Sequence, residues 1–290
     1  MKILNKMQFI SLLLTLLLAV MMAVPTVSLA AQPTVNLGTT STFAVLAGST
    51  ITNTGTTTIN GSTGADVGLS PGTVFSGRES VTINGAVHLA DAVAIKAKAD
   101  LVTAYNDAAG RTPVTTISSE LGGTTLKPGT YDSADGTFQI TGKLTLDAQG
   151  DPDGVFVFKT GSTLKTASAS NVNLINSARF CRTFWKVGTS ATLGTNSHFV
   201  GHIFAMESIT ATTGATVQGQ LMARTGAVTL DNNTITNGLC ATTPVTGAVV
   251  RTITGGKLPK TSTPLYDLLF IGATLTLVGT LGWRSRKRFI

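Results

Sequence analysis

The C-terminal half of this chain repeats itself in steps of eighteen residues. Two kinds of short segment recur, the first at 184–187, 202–205 and 220–223, and the second at 190–193, 208–211 and, one residue late, 227–230. Self-similarity at so short a fixed period predicts a β-solenoid, in which every repeat adds one coil to a stack. Few other folds accommodate such a period.

The two kinds of segment differ in their pattern. The first kind is apolar on both faces, as is 155–158, so it needs cover outside the coil as well as inside. The second kind alternates, which predicts an apolar interior and an exposed, flat outer face. The predicted inward residues are Ala191, Leu193, Ile209, Ala211, Val228 and Leu230, and the predicted outward residues are Thr192, Thr210, Thr212 and Thr229.

An amphipathic helix is predicted over about 88–109. Its apolar residues recur every four positions or stand beside that stripe, namely Leu89, Val93, Ala97, Leu101 and Tyr105 with Ala92, Ala104 and Ala108. Gly110 and Pro113 end it. We expect this helix to lie along the solenoid and to cover the doubly apolar strands.

The N-terminal 30 residues have the pattern of a secretory signal. Lys2 and Lys6 precede an apolar run at 9–24, and residues 28–30 read Ser-Leu-Ala. This order predicts export with cleavage near Ala30, although a retained membrane anchor is the alternative.

The C-terminal segment 258–290 resembles the sortase-dependent sorting signal of Gram-positive surface proteins. It contains Leu258, Pro259, Lys260, Thr261 and Ser262, then an apolar stretch at 265–283 and a basic tail at 284–288. Ser262 stands where that family has glycine, which leaves sortase processing open. The apolar stretch is long enough to span a bilayer, so a simple membrane anchor is the alternative. The protein should stay attached to the cell surface in either case.

The high isoelectric point of about 9.6 originates mainly in these two ends. Without 1–30 and 262–290 the chain keeps 15 of its 21 basic and 13 of its 14 acidic residues, a net charge of +2. We therefore expect no nucleic-acid partner.

Residues 31–240 suffice for a single mainly-β domain, and 241–257 has the character of a spacer. A polar composition with only 12% charged residues also suits disorder, but the apolar alternation favours strands. Cys181 and Cys240 would meet an oxidising compartment after export, so we expect a disulfide, with free thiols as the alternative.

Many segments together resemble the ice-binding (antifreeze) protein family. The matching segments are 43–55, 64–72, 104–105, 120–131, 140–147, 155–164, 184–188, 214–223 and 226–236. The resemblance implies a discontinuous right-handed β-solenoid with one long α-helix packed alongside, and a function in binding ice through one flat face. The residues of that face vary within the family, so the resemblance assigns none of them.

The column Thr192, Thr210 and Thr229, with Thr212 one position further on, is the candidate ice-binding site. Some family members carry a T-A/G-x-T/N string on the binding side, and similar strings occur at 54–57, 160–163, 210–213 and 213–216. These strings add Thr163 and Thr216. Asp231 interrupts the grid, and solvated strand threonines without a binding role are the alternative.

The sequence gives little support for an enzyme. His198 and His202 lack a third metal ligand nearby, the isolated aspartates resemble turn and capping residues, and we expect no cofactor or catalytic group. A cell-surface adhesin or envelope module on the same fold remains the alternative function. The expected partners are an ice surface and, through the C-terminal signal, peptidoglycan or the membrane. The domain itself should be monomeric.

Overall fold

The computed structural model describes residues 32–61, 64–238 and 240, and within them it contains 22 strands and one α-helix. The strands are β1 Phe43–Ala47, β2 Thr50–Thr54, β3 Thr57–Gly61, β4 Asp66–Leu69, β5 Val74–Ser76, β6 Val81–Ile83, β7 Val87–Leu89, β8 Thr115–Ile117, β9 Thr125–Leu126, β10 Gly129–Ser133, β11 Phe138–Ile140, β12 Lys143–Asp147, β13 Phe156–Thr160, β14 Leu164–Thr166, β15 Asn171–Ile175, β16 Thr183–Val187, β17 Ala191–Leu193, β18 His198–Ala205, β19 Ile209–Ala211, β20 Thr216–Ala223, β21 Val228–Asp231 and β22 Thr234–Asn237. The helix α1 spans Ala92–Gly110.

Each complete coil contributes one strand to each of three faces, the coils at the two ends contribute fewer, and all the ladders are parallel. The flat face contains β11, β14, β17, β19, β21, β2 and β5 in that spatial order. The helix-covered face contains β8, β10, β13, β16, the second halves of β18 and β20, β1, β4 and β7. The third face contains β9, β12, β15, the first halves of β18 and β20, β22, β3 and β6. The predicted solenoid is thus confirmed.

The coils are not stacked in chain order. The first coil packs on the last one, because β1, β2 and β3 pair with β20, β21 and β22. From there the chain builds outward to β5–β7, crosses to the far end through α1, and returns coil by coil from β8. The solenoid is therefore discontinuous, and α1 contacts strands on both sides of the junction, including β4 and β16.

The helix begins four residues later than the sequence predicts. Asp91 is its N-cap, and its carboxylate accepts a hydrogen bond from the Ala94 backbone N–H at 2.8 Å. His88, which the pattern places inside the helix, lies in β7 instead, because Val87–Leu89 pairs with β4. Strand pairing with a preceding coil outweighs the local helical periodicity here.

The helix covers the strands that the sequence identified as apolar on both faces. Its buried residues are Ala94, Ala97, Leu101, Ala104, Tyr105 and Ala108. All of them except Ala94 belong to one cluster with Phe43, Leu46, Val155, Val157, Phe184, Phe204 and Met222. Val93, predicted within the buried stripe, is 46% exposed, because a strict four-residue spacing drifts around a helix of 3.6 residues per turn and Ala94 takes the inward place. Burial of this second apolar layer holds α1 against the solenoid.

Two lysines fasten the helix to the sheet through backbone carbonyls. Lys98 Nζ donates to Ala223 O at 2.6 Å and to Arg224 O at 2.5 Å. Lys159 Nζ, on β13, donates to Ala109 O at 3.1 Å at the helix C-terminus, where unpaired carbonyls accumulate. Burial, with a smaller effect from the Arg224 charge, lowers the pKa of Lys98 to about 8.

The interior between the faces is densely aromatic near the middle of the stack. Trp185 stacks on Phe158 with ring centroids 3.9 Å apart, and its indole N–H donates to Val200 O at 3.0 Å. Gly201 and Gly219 turn β18 and β20 from the third face to the helix-covered face with φ of +110° and +147°. A side chain at Gly219 would collide with the Gly201 carbonyl, so the eighteen-residue recurrence of glycine has a steric cause.

A disulfide joins Cys181 and Cys240 across 59 residues, with the Cα atoms 5.5 Å apart, as the sequence suggested. It ties the C-terminal end of the domain to the turn before β16. The predicted signal, the spacer and the C-terminal sorting segment lie outside the described residues. Within the described residues, no helix has the length and hydropathy needed to cross a membrane.

Candidate functional site

The flat face is the part of the solenoid surface with the most regular polar pattern. Its strands β17, β19, β21 and β2 are in continuous parallel register without a bulge. Strands in such a ladder lie about 4.8 Å apart, and successive outward residues along one strand lie about 6.7 Å apart. The face is therefore a two-dimensional grid of side chains.

Four threonines form an unbroken column across the middle of this grid. Thr192 pairs with Thr210, Thr210 with Thr229, and Thr229 with Thr52. All four are half-buried, as expected for side chains that stand in a row on a sheet. None of their hydroxyls hydrogen-bonds to another group in the described part of the chain. These hydroxyls are thus free to bind water, and we call the four residues the threonine column.

A second column lies one grid position away, just before the strands begin. The register places in it Thr163, Ser190, Ser208, Ala227 and Thr50. Thr163 thus lies on the flat face, as the sequence predicts. It lies beside the Thr192 end of the threonine column, next to Lys165 on the same strand. Ser208 Oγ accepts a hydrogen bond from the Ala227 backbone N–H at 3.2 Å, so this column is less uniform.

The third column is interrupted, as the sequence predicts. Thr212 follows Thr210 on the same face, but its hydroxyl donates to Leu193 O at 2.7 Å and is therefore already occupied. Asp231 takes the corresponding place in the next coil and accepts a hydrogen bond from Thr213 Oγ1. A charged group bound to its own neighbour does not continue a lattice of hydroxyls.

Thr216 does not belong to this surface. It lies in β20 on the third face and its hydroxyl contacts His198 Nδ1 at 2.6 Å. The string 213–216 that suggested this residue spans the corner at Gly214, where φ is +72° and the chain turns from one face to the next. Grouping Thr216 with the flat-face threonines is therefore wrong.

Sequence reasoning missed Thr52, which extends the column by one coil. The signal was present, because β2 alternates Thr50, Ile51 and Thr52 in the manner of the later strands. Its place in the column depends on the pairing of β2 with β21, 177 residues away in sequence. That pairing does not follow from the eighteen-residue step.

A rigid apolar layer supports the threonine column from below. The residues that point inward from the four strands are Ala191, Leu193, Ile209, Ala211, Val228, Leu230, Ile51 and Asn53, and all are buried. Asn53 Nδ2 donates to Gly55 O at 2.8 Å and thereby closes the corner of its coil. Packing at crystalline density fixes the spacing of the side chains above it.

Charges border the column rather than interrupt it. Lys165 continues the ladder beyond Thr192, and Gln139 follows Lys165, whereas Ser76 continues it beyond Thr52. The groups whose pKa values are strongly shifted lie outside the flat face. Asp100, whose pKa is lowered to about 2 by hydrogen bonds from Lys96 and Thr39, belongs to the helix and fixes the N-terminal segment.

The two histidines considered as metal ligands point in different directions. His198 is exposed on the third face, whereas His202 is buried beside Phe184. The described residues contain no group of three side chains arranged to hold a metal ion.

Comparison with known proteins identifies the family. A family model described as ice-binding-like matches residues 45–236, which include every strand of the flat face. An ice-binding protein of Nostoc sp. (strain HG1) is 44% identical over 216 residues, which are 74% of this chain and 78% of the relative. The chain belongs to the ice-binding-like family.

Other members of the ice-binding-like family are similar over the same domain. An ice-binding protein of Colwellia sp is 34% identical over 69% of this chain and 83% of its own length. Ice-binding protein 1 of Shewanella frigidimarina (strain NCIMB 400) is 34% identical, and the match spans only 26% of that longer protein.

Solved structures of ice-binding proteins share the fold. One from an Antarctic biological consortium superimposes with a TM-score of 0.69 at 43% identity, over 74% of this chain and 96% of that one. Another, from Antarctomyces psychrotrophicus, gives 0.66 at 40% identity, over 70% of this chain and 98% of that one. Those two chains consist almost entirely of the matched domain, so in those proteins the domain folds without further segments.

Proposed function

We propose that this protein binds ice through the flat face, with the threonine column at the centre of the contact. The observation that carries the proposal is the column itself: Thr192, Thr210, Thr229 and Thr52 stand in continuous register with hydroxyls that bond to no other described group. Relatives at up to 44% identity are named ice-binding proteins, which supports the same ligand here.

The mechanism follows from the chemistry of threonine on a rigid strand. Each hydroxyl holds a water molecule at a fixed point of the grid, and each methyl group orders the water beside it without competing for hydrogen bonds. β-Branched side chains have restricted χ1 angles, so little rotamer entropy is lost when this water layer merges with a crystal. Because the strands and the buried layer beneath them fix the grid, the ordered water can match an ice plane.

The side chains of the face favour binding over catalysis. A threonine hydroxyl becomes a nucleophile only beside a general base that takes its proton. The described neighbours of the column on the grid are hydroxyls, methyls, the Lys165 ammonium and the Asp231 carboxylate, and that carboxylate accepts a hydrogen bond from Thr213 Oγ1 and from none of the four column hydroxyls. We therefore propose a non-enzymatic role.

The test uses fragment 32–241, which contains the whole described domain. We expect it to show thermal hysteresis and to inhibit ice recrystallisation. The double variant Thr210→Tyr and Thr229→Tyr should lose most of both activities, since two bulky rings lift the face off a flat crystal. Thr234→Tyr on the third face is the matched control, because it places the same ring on an exposed strand threonine away from the column.

Two outcomes would count against the proposed site. Full activity in the double variant would move ice binding to another surface. A wild-type fragment that leaves ice unaffected but binds a glycan would favour an adhesin on the same fold.

We further propose that the domain is displayed on the cell surface. The support is the sequence pattern of 1–30 and 258–290. In addition, the disulfide at Cys240 anchors the C-terminal end of the domain directly before the predicted spacer. Display would hold the cell to ice, whereas a released domain would act on the surrounding liquid. Mass spectrometry of wall-released protein checks this: a C-terminus at Thr261 linked to peptidoglycan indicates sortase, and an intact C-terminus in the membrane fraction indicates a tail anchor.

A further inference from the structure

The solenoid is open at the end formed by β5, β6 and β7. In the adjoining coil, Ile51, Ile59, Val67 and Leu69 are fully buried. Their partners in the terminal coil, one strand further out, are only partly buried. These partners are Phe75, Ile83, Val87 and Leu89, and Val81 is partly exposed beside them. The apolar interior thus reaches solvent at this end because no described residues are stacked on the last coil.

The same three strands each have one free edge. Among the described strands, β5 pairs only with β2, β6 only with β3, and β7 only with β4. Their sequences, Val-Phe-Ser, Val-Thr-Ile and Val-His-Leu, contain neither proline nor lysine. Edge strands without such blocking residues readily pair with another chain.

The opposite end, formed by β8 and β9, is also only partly covered at Ile117 and Leu126, but a side-chain cap lies beside them. There Leu121 is 1% exposed, and the Glu120 carboxylate accepts hydrogen bonds from the backbone N–H groups of Gly122 at 2.6 Å and Thr141 at 2.8 Å. Side-chain hydrogen bonds replace the missing coil at that end. The open end has a smaller counterpart, in which the Asp66 carboxylate accepts one backbone hydrogen bond, from the Ala86 N–H at 2.7 Å.

Opposite charges stand next to each other at the corner between β5 and β6. Arg78 and Glu79 are both exposed, and neither forms an ion pair within the described residues. A surface that carries adjacent opposite charges beside an apolar patch is complementary to itself under a twofold rotation. This favours a second copy of the chain over a different partner.

We propose that two copies of this protein associate end to end through the open end, β5 to β7. A twofold axis through the corner between β5 and β6 pairs β7 antiparallel with β7 of the partner subunit, and it pairs β5 with β6 of the partner subunit. It places Arg78 beside Glu79 of the partner subunit. The first turn of α1 follows β7 directly, so Val93 and Ile95, 46% and 56% exposed, extend the apolar surface.

This proposal differs from the monomer that the sequence predicts. The difference has a physical cause: sequence periodicity shows where a coil repeats but not which coil is last in the stack. The proposal does not depend on ice binding, because the flat face lies beside the open end rather than within it.

Sedimentation velocity of fragment 32–241 over a concentration series tests the proposal. We expect a monomer–dimer equilibrium that weakens with salt. Arg78→Glu should raise the dimer dissociation constant about tenfold, because it places like charges together. The double swap Arg78→Glu and Glu79→Arg should restore association. Lys127→Glu, an exposed charge reversal at the opposite end, is the matched control and should have no effect.

Ile83→Lys is a second variant that places a charge in the apolar interior of the open end and should abolish the dimer. Circular dichroism establishes whether this variant is folded. If it is not folded, the Arg78→Glu variant and the double swap test the dimer without it. A fragment that stays monomeric at every concentration overturns the proposal. So does a dimer unchanged by Arg78→Glu. Hydrogen exchange slowed in β5–β7 of a monomeric full chain, relative to the fragment, would show that the chain's own terminal segments cover the open end instead.

Discussion

His202 makes the stability of the domain depend on pH between about 6.5 and 4. The ring is 1% exposed and stacks on Phe184 with centroids 5.2 Å apart. Burial lowers its pKa from 6.5 to about 4, and the nearby Gln220 side chain and Cys181 backbone offset this only in part. Within the described part of the chain, neither ring nitrogen has a partner in hydrogen-bonding geometry, so desolvation dominates.

The sign follows from proton binding in the two states. Above pH 6.5 the ring is neutral in both, and it has no effect on stability. Between pH 6.5 and 4 the unfolded chain binds the proton and the folded domain does not, so stability falls as the pH falls. A difference of about 2.5 pKa units corresponds to a loss of about 3 kcal/mol in the free energy of unfolding by pH 4.

Urea unfolding of fragment 32–241, followed by circular dichroism at a series of pH values, measures this loss. His202→Phe should flatten the dependence between pH 6.5 and 4, since phenylalanine fills the same aromatic stack without a proton site. His198→Gln changes an exposed histidine of the same strand and should leave the wild-type slope unchanged. Carboxylates contribute equally to all three proteins and cancel in the comparison. An unaltered slope in His202→Phe would refute the reasoning, as would a ring that titrates near pH 6.5 by NMR.

Three further changes test the fold. Replacing Cys181 and Cys240 by serine should destabilise the domain by about 4 kcal/mol in urea unfolding, because the disulfide closes a loop of 59 residues; reduction of the wild type should match it. Leu101→Ala, at the buried face of α1, should cost about 3 kcal/mol in the same assay, whereas exposed Val102→Ala should cost little, and equal losses would contradict the docking of the helix. Gly219→Ala should lower stability by at least about 2 kcal/mol, since its φ of +147° and the adjacent carbonyl leave no room for a methyl group; a melting temperature like that of the wild type would show that the corner can relax.

The helix shows how far local periodicity carries a prediction. The four-residue spacing of Ala97, Leu101 and Tyr105 located α1 and its covering role correctly. The same spacing placed the first residue of the helix wrongly, because His88 and Leu89 satisfy a helical spacing and a strand pattern equally well. Only the presence of β4 beside them decides between the two.

The sequence by itself determined the step of the solenoid, and with it the alignment of Thr192, Thr210 and Thr229. Consecutive coils of equal or nearly equal length stack in register, even where Thr229 follows one residue late, so spacing along the chain becomes position on the face. The tertiary structure alone decided that Thr52 completes the column, that Thr216 leaves it, and that one end of the stack stays open. These features depend on how distant coils pair and where the chain turns a corner, and parallel pairing across 177 residues leaves no mark in a local pattern.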